Sequence, residues 1–237
     1  MKREAGFAGF LGETFALLSD AGRYVVIFVL VVGGLNAAAF LTGGNPPSRK
    51  IGSIGGGFIY TPGMGPVAVV VGFLSAIVSI AASYFLIAQY LEARGLLRDR
   101  ETRIWAYVGL TILSVLGMMV GFLLLVVPGL ILLTRLSAAS GFLIGARAGI
   151  VESLSASWDA TRGNGWAIFF AGFVMLIIAG LIGAAIGSIS VAMGSSTLMP
   201  IVTSFINAFG SALSLAFGIG VYHLVQNDDE ALGEVFA

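Results

Sequence analysis

His223 is the only histidine in these 237 residues, so any imidazole chemistry rests on it. Ser204, Ser211 and Ser214 share its apolar stretch. A serine–histidine pair must lie within hydrogen-bond reach. On one helix that requires a spacing of three or four, which none of these serines has from His223. No HExxH or paired histidine–carboxylate spacing offers a metal site, and without cysteine there is no thiolate. The twelve Asp and Glu residues fall in the flanks of the apolar runs. They are not at the depth where proton- or ion-coupled transporters keep carboxylates. The expectation is a protein that is not an enzyme, with no cofactor and no metal. The polar residues inside the apolar runs include Asn36, Asn207 and Arg135, with scattered Ser and Thr. The two asparagines either hydrogen-bond between helices or line an aqueous path.

Arg135 stands in "LLLVVPGLILLTRLSAASGFLIGARAGIVES", residues 123–153. Pro128 and Gly129 are the only turn signal in this long apolar run, so a tight helix hairpin is expected there. Arg135 then lies six residues beyond Gly129, about 9 Å along a helix. No acid in a span is there to pair with it. Either its stem snorkels to the outer interface, or its guanidinium binds an anionic headgroup or ligand between helices. Ser137, Gly141, Gly145 and Gly149 recur every four residues, and Gly183 and Gly187 form a second small-residue pair. Both are candidate helix-packing surfaces. Arg135 is rotated by about 200° from Ser137 and should face away from the first of them.

The elements that would position these residues follow from composition. Hydrophobic residues make up 58% of the chain, charged residues 10%, and mean hydropathy is +1.01. A soluble domain carries about 25% charged residues; a chain this apolar must turn most of its surface to lipid. Net charge is zero, which gives no basic field for nucleic acid. The apolar runs predict an all-α integral membrane protein, one polytopic domain over 1–237. Its six transmembrane helices lie near 23–41, 66–91, 104–126, 130–148, 166–188 and 200–225. Two interfacial amphipathic helices are expected at 5–20 and 151–162. In the first, Phe7, Phe10, Leu11, Phe15 and Leu18 form the apolar stripe, with Glu13 and Asp20 off it. In the second, Val151, Leu154 and Trp158 oppose Glu152, Ser155, Asp159 and Arg162. The Gly- and Pro-rich segment 42–66 reads as a long external loop. Its GSIGGG string lacks the strand and basic helix of a phosphate-binding loop. The N-terminus does not read as a cleavable signal, because the first long apolar run starts only near Tyr24. With both termini inside, nine of the twelve Lys and Arg residues fall on the cytoplasmic side. Trp105, Trp158 and Trp166 lie at the same ends, as interfacial aromatics should.

Residues 128–170, "PGLILLTRLSAASGFLIGARAGIVESLSASWDATRGNGWAIFF", resemble the membrane domain associated with glycerophosphoryl diester phosphodiesterases and related bacterial inner-membrane proteins. The shared pattern is Pro128, Gly129, Arg135, Leu154, Ser157, Trp158, Thr161 and Gly163. "GETFALLSDAGRY" is similar to the family's N-terminal segment. The chain departs from the pattern before the second short helix, where Gly145, Ala146 and Arg147 stand and the glutamate, Glu152, comes later. The resemblance implies the membrane module without a phosphodiesterase domain. The expected role is a non-enzymatic module of the bacterial inner membrane, supporting envelope integrity or a partner protein. A small-molecule or lipid transporter or channel is the alternative. Membrane lipids are the expected partners, with a membrane or cytoplasmic protein as a further one.

Overall fold

A computed structural model of the protein describes residues 5–43, 64–98, 101–124, 126–192 and 198–236. Most of the expected external loop lies outside these residues. Nine helices and no strand occur among them: α1 Phe7–Asp20, α2 Gly22–Leu41, α3 Pro66–Ala93, α4 Ile104–Leu124, α5 Val126–Arg135, α6 Ala139–Ile144, α7 Ile150–Ala160, α8 Gly165–Ala192 and α9 Leu198–Phe236. Among the described residues, six segments are long and apolar enough to cross a membrane: Gly22–Leu41, Pro66–Ala93, Ile104–Leu123, Val127–Ile144, Gly165–Ile186 and Leu198–Asn227. The chain is an all-α integral membrane protein. In hydrocarbon each backbone N–H and C=O must find a partner within the protein, which selects helices for these runs. Large apolar side chains stand bare along them, Leu123 and Met119 among them. Such a surface is stable only against lipid. Only 17% of the α4 span is buried, against 67% of the α9 span, so α9 is the most enclosed of the six.

The chain divides into two compact units. One comprises Met1–Ala21, Ile87–Val174 and Ala216–Ala237; the other comprises Gly22–Leu86 and Met175–Leu215. In the first, α4 and α5 pack as an antiparallel pair. A Cβ on Gly121 would lie 3.2 Å from the Gly129 Cα, and one on Gly129 would lie 2.6 Å from the Phe122 ring. Gly129 therefore serves close approach rather than the turn. Pro128 and Gly129, where the sequence suggested a hairpin turn, both lie inside α5, which begins at Val126. Pro128 is the third residue of α5, where the backbone N–H has no intrahelical acceptor to lose.

The fourth span is not one continuous helix. It ends as α5 at Arg135, passes through a tight turn at 136–138 and resumes as the six-residue α6. Within the turn, the Ala139 N–H donates to the Leu136 carbonyl at 3.2 Å and the Ser137 hydroxyl to the Thr134 carbonyl at 2.8 Å. The chain leaves α6 through Arg147, which has a positive φ of 60°. It folds back as α7 against α4, α5 and α6. The expected small-residue ridge is thus divided among several elements. Ser137 lies in the break, Gly141 in α6, Gly145 at its C-cap and Gly149 at the N-cap of α7.

In the second unit, the Ser75 hydroxyl of α3 donates to the Asn36 side-chain oxygen of α2 at 2.8 Å. A Cβ on Gly33 would lie 2.6 Å from the Phe205 ring, so α2 and α9 meet closely there. Gly183 of α8 faces Ile206 of α9 at ordinary contact distance. An apolar groove of about 290 Å³ lies beside them, lined by residues including Ile182, Val202, Phe205 and Phe209. Gly187 lies within α8.

Candidate functional site

The buried face of α1 is Phe10, Glu13, Thr14 and Leu17. This corrects the expected stripe: Phe7 and Phe15 are exposed, at 42% and 48%, and Glu13 is enclosed. An acid occupies an apolar face because its charge is matched on arrival. Arg94, just after α3, binds Glu13 Oε1 through Nε and Asp20 Oδ2 through Nη1, the latter at 2.7 Å. His223 of α9 places Nδ1 3.0 Å from the same Glu13 oxygen. An ionised carboxylate only accepts, so Nδ1 donates and the tautomer is set. Burial alone would raise the Glu13 carboxyl. Hydrogen bonds from His223 and Arg94, with the Arg94 charge, outweigh it and hold the group at about 2 against 4.5. The lone histidine is thus engaged by a carboxylate. The Glu13 cluster ties α1 to the end of α3 and to α9.

Arg135, the last residue of α5, reaches the C-terminal end of α7. Its Nη1 lies 3.5 Å from both the Trp158 carbonyl and the Thr161 hydroxyl oxygen. Its guanidinium lies 5.6 Å from the centre of the Trp158 ring. In return the Ser157 hydroxyl donates to the Arg135 carbonyl at 2.6 Å. Two helices, α5 and α7, therefore end at one cation. The last carbonyls of α7 carry a partial negative charge that the guanidinium matches without any acid in the span, while the Ser157 hydroxyl serves the last carbonyl of α5. Arg103 acts similarly at the end of α6, with Nη1 3.4 Å from the Leu143 carbonyl and 3.2 Å from that of Ala148.

The face that α7 presents to the protein is Ser153, Ser157 and Thr161, each fully buried. Val151 is 72% exposed, and Leu154 and Trp158 are half-buried. Glu152, Ser155, Asp159 and Arg162 are exposed. Glu152 also accepts the Gly149 N–H at 3.0 Å and so fixes the helix start. Apolar periodicity does not disclose this buried hydroxyl stripe, of which Ser157 and Thr161 also belong to the family pattern. Its signal is the four-residue spacing of small hydroxyl residues. Glu13 was missed for the opposite reason: it interrupts a stripe that its neighbours at three and four residues complete.

The remaining expected positions are placed as follows. Gly141 abuts the Tyr222 ring so closely that a Cβ would meet its Cβ and Cδ1 at 2.6 Å. A Cβ on Gly145 would lie 3.1 Å from the Tyr222 hydroxyl. Both glycines thus face α9 of the same chain. Trp166 is 76% exposed at the start of α8, stacked beside Phe170 at 5.9 Å. Asn207 is half-buried, and its backbone carbonyl accepts from Ser211. Comparison with protein-family models gives no match, and neither do comparisons with curated proteins and with solved structures.

Proposed function

We propose that the protein is a non-enzymatic, multi-pass module of a bacterial inner membrane, with both termini in the cytoplasm, that supports envelope integrity or a partner protein. One observation carries this reading: four polar side chains that could have served chemistry or transport, Glu13, Arg94, His223 and Asn36, hold helices together. Glu13, Arg94 and His223 join α1, α3 and α9, and Asn36 is taken up by Ser75. The resemblance of residues 128–170 to the membrane domain found with glycerophosphoryl diester phosphodiesterases agrees with it. Purification from native membranes under mild detergent, with identification of bound proteins and lipids, tests the proposal. A stoichiometric protein or lipid companion is expected, together with sensitivity of a deletion strain to envelope stress. A deletion strain that instead fails only to take up or export one solute sinks the module reading.

The break after Arg135 favours a second reading, a transporter. Interrupted spans occur where backbone lines a cavity or is buried in protein. Proteoliposome flux separates the two readings. A solute gradient discharged by the wild-type protein and by no inactive variant establishes transport.

A further inference from the structure

A guanidinium has five N–H donors and no acceptor. At Arg135 only Nη1 meets acceptors among the described residues, and both stand at 3.5 Å, the limit of a hydrogen bond. None of the ion pairs among the described residues includes it. The residue is half-buried at the middle of the 18-residue span Val127–Ile144. The two groups left over, Nε and Nη2, share one edge of the guanidinium plane. That edge carries the parallel pair of N–H bonds that grips a carboxylate or phosphate with two oxygens. The Trp158 carbonyl and the Thr161 hydroxyl lie at Nη1, off that edge. The Trp158 ring lies beside the guanidinium, at 5.6 Å. Asp159, the next residue, pairs with Arg162 at 3.4 Å, which reduces its repulsion of an incoming anion. The α7 helix that Arg135 reaches turns both apolar and charged side chains outward, Val151 beside Glu152 and Asp159, as a helix at the headgroup layer does, and there phosphodiester oxygen is the abundant acceptor.

We propose that the Nε–Nη2 edge of Arg135 binds the phosphodiester of a membrane phospholipid, with the headgroup beside Trp158 at the end of α7. The binding chemistry is shared with free phosphate, so the test separates the two sources. It does not depend on whether the protein is a module or a transporter.

Delipidated wild-type protein is titrated with phosphatidylglycerol, with a galactosyl diacylglycerol that lacks phosphate, and with inorganic phosphate. Bound lipid is counted by native mass spectrometry and stability is read by thermal unfolding. The phospholipid is expected to bind and raise the melting temperature, and the galactolipid and inorganic phosphate to do neither. Equal stabilisation by the galactolipid overturns the site. Equal stabilisation by inorganic phosphate assigns it to a free anion and overturns the lipid source. Arg135→Lys, checked for wild-type helix content, is expected to bind the phospholipid about tenfold more weakly, because a lysine has no bidentate edge. Arg98→Lys, at an exposed arginine, is expected to bind as the wild type does. Unchanged affinity in a folded Arg135→Lys protein also overturns the proposal.

Discussion

Glu13 shows how one side chain decides the placement of an element. A carboxylate taken out of water costs several kcal/mol unless paired, and removing one member of a buried pair strands the other. Glu13→Gln should therefore destabilise the protein by about 3 kcal/mol, since it leaves Arg94 with Asp20 as its one acidic partner in the cluster. Thermal unfolding in detergent checks it, and an unchanged melting temperature refutes the clamp. The sign of the pH dependence follows from the depressed carboxyl. Its folded value, about 2, lies below the ordinary 4.5. The contribution is therefore complete above about 4.5 and is lost as pH falls from there through about 2. In Glu13→Gln the melting temperature should fall less steeply across that window than in the wild type.

The elements divide by what their small residues do. Gly141 lets α6 lie against Tyr222 of α9, whereas no atom lies within 4 Å of a Cβ added at Gly180 of α8. Gly141→Ala should cost about 1–3 kcal/mol by overpacking. Gly180→Ala should stay within about 0.5 kcal/mol of wild type. Equal melting temperatures for the two would mean that α6 does not rest on α9. For α7 the contrast is between Ser157, fully buried and bonded to the Arg135 carbonyl, and Ser155, exposed. Ser157→Val should cost about 1–2 kcal/mol, since it leaves the last carbonyl of α5 without its donor. Ser155→Asp should be mild. If Ser155→Asp is the more harmful, α7 presents its other face to the protein.

Across the whole molecule, the proposed orientation is tested by cysteine labelling, for which the absence of native cysteine is convenient. Cysteines at Ser53 and Ser195, outside the described residues, should react with an impermeant thiol reagent added to the outside of cells. Cysteines at Asp99 and Ala231 should react only after the membrane is opened. External labelling at Asp99 reverses the orientation.

Composition and the length of the apolar runs determined the class of this protein. Six segments, each able to satisfy its own backbone hydrogen bonds, had to be helices, because hydrocarbon offers the backbone no other partner. Where each span stopped being straight was not legible. The break after Arg135 depends on the close fit of Gly218 to the Ser137 carbonyl, where a Cβ would stand 2.7 Å away, and on α7 folding back to meet α5. Those partners are 81 and 22 residues distant in the chain. The same is true of the charges. The hydrophobic pattern of α1 assigned Glu13 to water, because periodicity weighs a carboxylate as though it were alone. Only the tertiary structure brought Arg94 to it from the end of α3 and His223 from α9. A buried charge is stabilised by what lies beside it in space. That information is absent from the local sequence and appears only when distant helices are packed.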